Sequence, residues 1–182
     1  MTSNAGFIPL ETDRLTLASS SLMVERAILQ GPDAVARVTG LRVASGWPGP
    51  DWLEVLPSLI EMYEAQPDGC AWNRNIVHRE DRTLIGGVGC VCPPQEEGAV
   101  SLGYYIVPGS RRQGFAREAV GAYVAWLLAQ PAVQVIRAEC LVSNVPSCRI
   151  LERVGMRTAG FFEDEEGPKV RWELRGKEPL NS

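Results

Sequence analysis

The segment Leu102–Glu118, LGYYIVPGSRRQGFARE, constrains this chain more than any other. An apolar strand runs through Pro108 and Gly109 into a glycine-containing turn and directly into a long helix. That geometry makes an anion site. The first N–H groups of a helix have no intrahelical partner, and the aligned peptide dipoles add partial positive charge, so backbone alone can hold a phosphate. Gly114 and Ala116 keep the backbone approachable, and Arg111, Arg112 and Arg117 add full charges beside it. The plainer alternative is a turn with a capping box, Ser110 to Gln113, and solvated arginines.

Charge distribution favours the anion. The net charge of the 182 residues is −4, which argues against nonspecific nucleic-acid binding because that needs a basic footprint. Between Arg111 and Arg157, however, seven arginines face three acids, giving +4 there and −8 elsewhere. Neither GxGxxG nor GxxxxGK[ST] occurs, so dinucleotide and P-loop sites are disfavoured. What remains is a polyanionic ligand gripped by backbone and arginine, without a metal, since the one histidine, His78, has no ligand cluster around it.

The length fits a single domain over residues 1–182. The longest apolar run, Ala119 to Ala129, is eleven residues, against the roughly 20 that a membrane span needs. The first basic residue is Arg14, so no charged stretch opens a signal peptide, and the expected compartment is the cytoplasm. Five cysteines (70, 90, 92, 140, 148) without CxxC spacing read as reduced, mostly buried thiols.

Along the chain, Arg14–Leu17 alternates like a strand, and Ser19–Ser21 caps a helix to about Gln30. Helical patterns follow from Asp33 to about Val43 and from Asp51, where Pro57 should kink or split the helix. Strands are expected at Trp72–His78, Thr83–Cys92, Ala99–Val107 and Val133–Leu141, and on both sides of Glu163–Gly167. Helices are expected at Phe115–Gln130 and Pro146–Val154. Strand, helix, strand, helix, strand in the second half demands a partly parallel sheet covered by helices.

The strand, the RRQGFA turn, the long helix and then SNVPSCRILERVGMRTAG resemble the GNAT superfamily of N-acetyltransferases, whose signature [Q/R]-x-x-G-x-[G/A] is matched by Arg111-x-x-Gly114-x-Ala116. The opening Glu11–Leu17 and Asn144-x-x-Ser147 followed by Leu151–Met156 are similar to the branch containing the ribosomal-protein alanine acetyltransferases. The resemblance implies an α/β fold with a mixed, mostly antiparallel sheet of about seven strands, splayed between the fourth and fifth, and about four helices. It implies acetyl transfer from acetyl-CoA to a primary amine, by direct attack in a ternary complex. The pyrophosphate would lie on the turn Arg111, Arg112, Gln113, Gly114, Phe115 and Ala116, and the thioester beside Ile106 and Val107. The pantetheine arm would fill the splay, with Asn144 and Ser147 on the cofactor. The acceptor would be a protein N-terminus or a small-molecule amine, and dimers are common in that family.

An amine attacks a thioester only when neutral, and its pKa lies near 10, so something must accept a proton. Where relatives carry a glutamate this chain has Ser101, which could hold a water, and Glu139 is the candidate base through that water; its plain alternative is an ion pair with Arg137 or Arg149. Where relatives carry a tyrosine this chain has Leu151. Tyr104 and Tyr105 alternate faces, and Tyr105 is taken as the candidate catalytic phenol. Trp47, Trp52, Trp72 and the acidic run Glu163–Glu166 are expected on the acceptor side. The absent glutamate and tyrosine leave an alternative open, an acyl-CoA-binding module without turnover.

Overall fold

The computed structural model describes residues 8–90, 94 and 96–176. One sheet runs through the fold, built from β1 (Leu10–Glu11), β2 (Leu15–Ser19), β3 (Arg42–Val43), β4 (Asn73–His78), β5 (Thr83–Cys90), β6 (Ala99–Ile106), β7 (Val135–Leu141), β8 (Arg157–Asp164) and β9 (Gly167–Arg175). Its order is β1-β2-β4-β5-β6-β7-β9-β8, with β3 lying parallel beside β5. Five helices accompany it: α1 (Leu22–Ile28), α2 (Pro32–Thr39), α3 (Pro50–Ala65), α4 (Phe115–Leu128) and α5 (Val145–Arg153). Seven strands have five residues or more, the number expected; β1 and β3 are two-residue additions, and the five helices correspond to the five helical patterns, one more than the resemblance implied.

The boundaries follow local chemistry. Ser21 caps α1 by accepting from the N–H of Val24, and Asn144 caps α5 by accepting from Ser147. Two expectations need correction. α2 stops at Thr39 because Gly40 takes a left-handed turn (φ 67°), and Arg42–Val43 then joins the sheet instead of extending the helix. α3 begins from Gly49, with Asp51 inside its first turn, and continues through Pro57 without ending. The expected strand end at Cys92 lies outside the described residues.

The sheet is held as one unit by a short parallel junction. β6 pairs with β7 only through Ala99, Val100 and Ser101, opposite Val135, Ile136 and Arg137. Beyond them β6 stays with β5 and β7 with β9, so Leu102–Ile106 and Ala138–Leu141 diverge into a wedge. Setting the two-residue strands aside, these are the fourth and fifth strands, where the splay was expected. Gly98 makes the junction possible. It sits at φ 65°, where a Cβ would come 2.7 Å from the carbonyl of Ala132, and its own carbonyl takes the N–H of Gln134 at 2.8 Å.

The main core runs across the sheet, from Leu15 and Leu17 through Ile76, Leu84 and Val100 to Ile136 and Leu151, with Phe115, Val120, Tyr123, Val124 and Leu127 of α4 against it. Ile136 is fully buried at the junction. Ile136→Ala should therefore cost about 2–5 kcal/mol of stability. Urea denaturation measures it, and an unshifted midpoint would show that the junction does not depend on this packing.

Candidate active site

The turn after β6 is wound tightly. Pro108–Ser110 forms a single 3₁₀ turn, Arg111 is extended, and Arg112 and Gly114 both adopt left-handed backbone (φ 61° and 84°) on either side of Gln113. A left-handed arginine costs on the order of 1–2 kcal/mol, so neighbouring contacts must hold it. Arg111 supplies one, its Nε donating to the carbonyl of Ile106 at 2.8 Å. The first position of the signature thus braces the turn from within, while Arg112 and Arg117 remain exposed.

The capping box of the plainer alternative does not form. α4 starts at Phe115 with Gly114 as its cap, and no side chain caps it, in contrast to Ser21 on α1 and Asn144 on α5. Ser110 lies a full turn too early, and Gln113 reaches only the carbonyl of Gly109, at 3.5 Å. The start of α4 is therefore left open to an anion, as the plainer alternative would not have it.

A long-range bracket holds this helix start. Arg14, at the entrance to β2, donates to Glu118 Oε2 (Nε, 2.8 Å) and to the carbonyl of Gln113 (2.9 Å), and its guanidinium lies 4.5 Å from the Phe115 ring centre. Thr12 and the N–H of Arg14 both donate to Glu118 Oε1, at 2.7 and 2.9 Å. Burial alone would raise the Glu118 pKa, but these hydrogen bonds and the Arg14 charge outweigh it and hold the carboxyl below its ordinary value. Glu118 is thus neutralised by a partner in the turn where it would otherwise repel a phosphate.

On the wedge, Tyr104 and Tyr105 part company. Tyr104 faces α5, its hydroxyl 2.7 Å from Ser147 Oγ, and burial pushes its pKa up to about 12. Tyr105 faces the opposite side, packed toward Gly49 and over Gly87, where a Cβ would come 2.8 Å from its ring. Burial, and then the charge of Glu25, push its pKa up well past the ordinary phenol. Ser101 and Gly103 share the Tyr105 face by strand alternation, and a Cβ at Gly103 would meet nothing within 4 Å. Ile106 and Val107 are buried at the strand end, and the N–H of Val107 goes to the carbonyl of Ile85 at 2.9 Å. A bound thioester oxygen must therefore find a different N–H.

Glu139 stands half-exposed on β7, two residues beyond Arg137, which is the register partner of Ser101. Its partner is neither Arg137 nor Arg149, as its plain alternative held, but Arg171, directly opposite on β9 at 2.8 Å; Arg137 pairs with Glu173 at 3.0 Å. Asn144 caps α5, and Leu151 is buried at 1% exposure. Of the tryptophans, Trp47 is buried and donates to the carbonyl of Gly86, while Trp72 packs edge-on against Trp126. In the acidic run, Asp164 and Glu166 both pair with Lys169.

The sequence reading missed Glu25. It is fully buried on α1, accepts from Ser20 and, at 3.2 Å, from the indole of Trp52, and desolvation raises its pKa. Its signal was a carboxylate among buried Val24, Ala27 and Ile28. Close by, Asn73 donates to the Tyr63 hydroxyl, and Tyr63 is itself raised by burial and by Glu25. The result is a buried polar cluster on the same side of the sheet as Tyr105.

Among known proteins, an acetyltransferase (GNAT) domain model matches residues 23–157. The chain belongs to the GNAT acetyltransferase family. An uncharacterised N-acetyltransferase of Bacillus subtilis, YjdG, is 28% identical over 148 residues, covering 80% of this chain and 88% of that protein. In structure, the ribosomal-protein-S5-alanine acetyltransferase of Vibrio fischeri superposes with a TM-score of 0.66 at 14% identity, over 94% of this chain and 98% of that one. The microcin C7 self-immunity acetyltransferase, solved with acetyl-CoA and AMP, gives 0.63 at 13% identity, over 94% and 99%. This GNAT protein is an acetyl-CoA-dependent N-acetyltransferase. Among the described residues, no group of three or more His, Cys, Asp or Glu is arranged to hold a metal, and no helix is long and apolar enough to cross a membrane.

The bracket on α4 has a measurable acid signature. Because the Glu118 pKa is lowered in the fold, its contribution to stability is complete above the ordinary value of 4.5 and is lost as pH falls through the folded value. Thermal melts across the acid range should show a shallower acid limb for Glu118→Gln; an unchanged limb would mean that the bracket carries no stability.

Proposed function

We propose that this N-acetyltransferase acts on the N-terminal amine of a polypeptide, and that the two faces of the wedge divide the work. The observation that carries the division is the opposite orientation of Tyr104 and Tyr105 on β6. The α5 side, with Tyr104, Ser147 and Asn144, continues toward the uncapped start of α4 and suits the cosubstrate. The Tyr105 side, with open space at Gly103, suits the acceptor.

On the cosubstrate side, backbone N–H groups of Gln113, Gly114 and Ala116 meet the pyrophosphate, with Arg112 as the full charge beside them and Arg111 bracing the turn. The pantetheine arm takes the place of the pairing that β6 and β7 abandon after Ser101. Arg112→Gly suits the left-handed backbone yet removes the charge, so it isolates the electrostatic contribution. It should weaken acetyl-CoA binding by about tenfold in calorimetric titration, in line with one exposed charge-assisted contact. Full retained affinity would contradict the phosphate assignment.

On the acceptor side, Glu139 takes the amine proton through a water held with Ser101. A carboxylate suits this work because it accepts a proton as the C–N bond forms, and the 2.8 Å contact with Arg171 holds it oriented. Tyr105 lines the approach, and its high pKa keeps it a neutral phenol that can donate a hydrogen bond. The CoA thiol has a pKa comparable with free cysteine, near 8.5, so it can leave as thiolate without a tyrosine at Leu151. Glu139→Gln should lower kcat by about 10²-fold with acetyl-CoA affinity unchanged. Equal turnover across the pH range would remove Glu139 from the mechanism.

The polypeptide acceptor is supported by the fold neighbour from Vibrio fischeri, described as acting on an alanine of ribosomal protein S5, and by the motifs shared with that branch. Thiol release from acetyl-CoA, measured with peptides beginning in Ala or Ser beside polyamines and aminoglycosides, tests it. Peptide-dependent release supports the reading, and release only with the small amines overturns it.

A further inference from the structure

Cys140, near the end of β7, and Cys148, in the first turn of α5, bring their Sγ atoms within 3.5 Å of each other. Cys140 is buried and Cys148 half-buried, so a small reagent reaches one sulfur while the other waits behind it. The proposed acetyl transfer uses neither thiol. Their location is nonetheless functional, because Cys148 follows Ser147, whose hydroxyl meets Tyr104 across the wedge, and its N–H closes the first turn of α5 on the carbonyl of Asn144 at 3.1 Å.

We propose that Cys140 and Cys148 are an oxidative modification site, forming a reversible disulfide under peroxide-class oxidants and thereby weakening the cosubstrate site. The weakening rests on the reading that Asn144 and Ser147 contact acetyl-CoA; the disulfide does not. The chemistry closes with hydrogen peroxide as the two-electron oxidant. The Cys148 thiolate attacks one peroxide oxygen, the O–O bond breaks, and hydroxide leaves with the proton lost from the thiol, giving a sulfenic acid and one water. The Cys140 thiol, deprotonating as it attacks, then bonds to Cys148 Sγ and expels the sulfenic oxygen as a second water. Two thiols are oxidised and one peroxide is reduced to two waters. Burial and the neighbouring Cys140 raise the pKa of Cys148, which makes the first step slower than for a free thiol and leaves the proximity of the second unaffected.

The consequence for the site is geometric. Bonded sulfurs lie about 2.05 Å apart, so oxidation closes the 3.5 Å gap between the two Sγ atoms by more than an ångström. The share of that closure taken up by the start of α5 shifts Ser147 against Tyr104.

The test uses the whole protein, reduced with dithiothreitol and desalted, then treated with hydrogen peroxide while folded, alkylated under denaturing conditions and cleaved with trypsin. Arg137 and Arg149 bound a single tryptic peptide, residues 138–149, that holds both cysteines and no other. The expected product is this peptide lighter by two hydrogens and carrying no alkyl group, returning to two alkylated cysteines after dithiothreitol. Two alkylated cysteines after peroxide, or Cys148 driven to sulfinic acid with Cys140 alkylated, would overturn the site. Acetyl-CoA, which has no free thiol to reduce the bond, is then titrated into reduced and oxidised protein. The Kd should rise by about tenfold on oxidation and recover on reduction. Cys148→Ser should show no such change. An unaltered Kd in the oxidised protein would overturn the weakening. Absence of binding to the reduced protein would instead sink the cosubstrate assignment, with the disulfide still decided by mass.

Discussion

The function of this protein depends on a sheet that stops pairing. Three residues of β6 meet three of β7, and beyond Ser101 the two strands hold only to their outer neighbours. Unpaired strand edges are normally costly, because their N–H and C=O groups seek partners. On the proposed function, an extended ligand rich in amides supplies the missing pairing in the wedge. Both halves are independently supported by antiparallel neighbours, so the junction needs only enough pairs to fix their relative position.

The second requirement is a helix start that stays open and positive. Sequence-local features make it so: Gly114 offers no side-chain cap, and Arg112 and Arg117 stay in solvent. Glu118 could undo this, standing one turn into α4 with a negative charge. Arg14 prevents it from a distance of 104 residues along the chain, pairing with the carboxylate and fixing the carbonyl of Gln113 at the same time. The opening Thr12–Leu15 stretch therefore belongs to the site, although it contributes through the helix and not through the ligand.

The two faces of the wedge differ in electrostatic character. The α5 face carries two pairs of uncharged type, the hydroxyls of Tyr104 and Ser147 and the thiols of Cys140 and Cys148. Behind the opposite face lies the buried carboxylate of Glu25, whose field reaches Tyr105, Tyr63 and Cys70. A buried, hydrogen-bonded acid of this kind fixes the side chains around it, because each of its oxygens left without a donor would be costly. Trp52, unlike Trp47 and Trp72, is held in this way.

By itself the sequence determined the longer elements and the order in which they follow, including the strand, turn and helix proposed to hold the anion. Those features are local: Gly114, the proline breaks and the apolar periods act within a few residues. Leu151 in place of a tyrosine was legible for the same reason. Tertiary structure alone decided which charges meet. Glu139 found Arg171 and Arg137 found Glu173 because β9 returns antiparallel beside β7 in a register that places them opposite. Strand register is fixed by the packing of whole faces, and no spacing within β7 encodes it. The same holds for Arg14 with Glu118, for Glu25 with Trp52, and for which of Tyr104 and Tyr105 turns toward α5. Alternation told that their faces differ, while the layering of helices on the sheet decided which face is which.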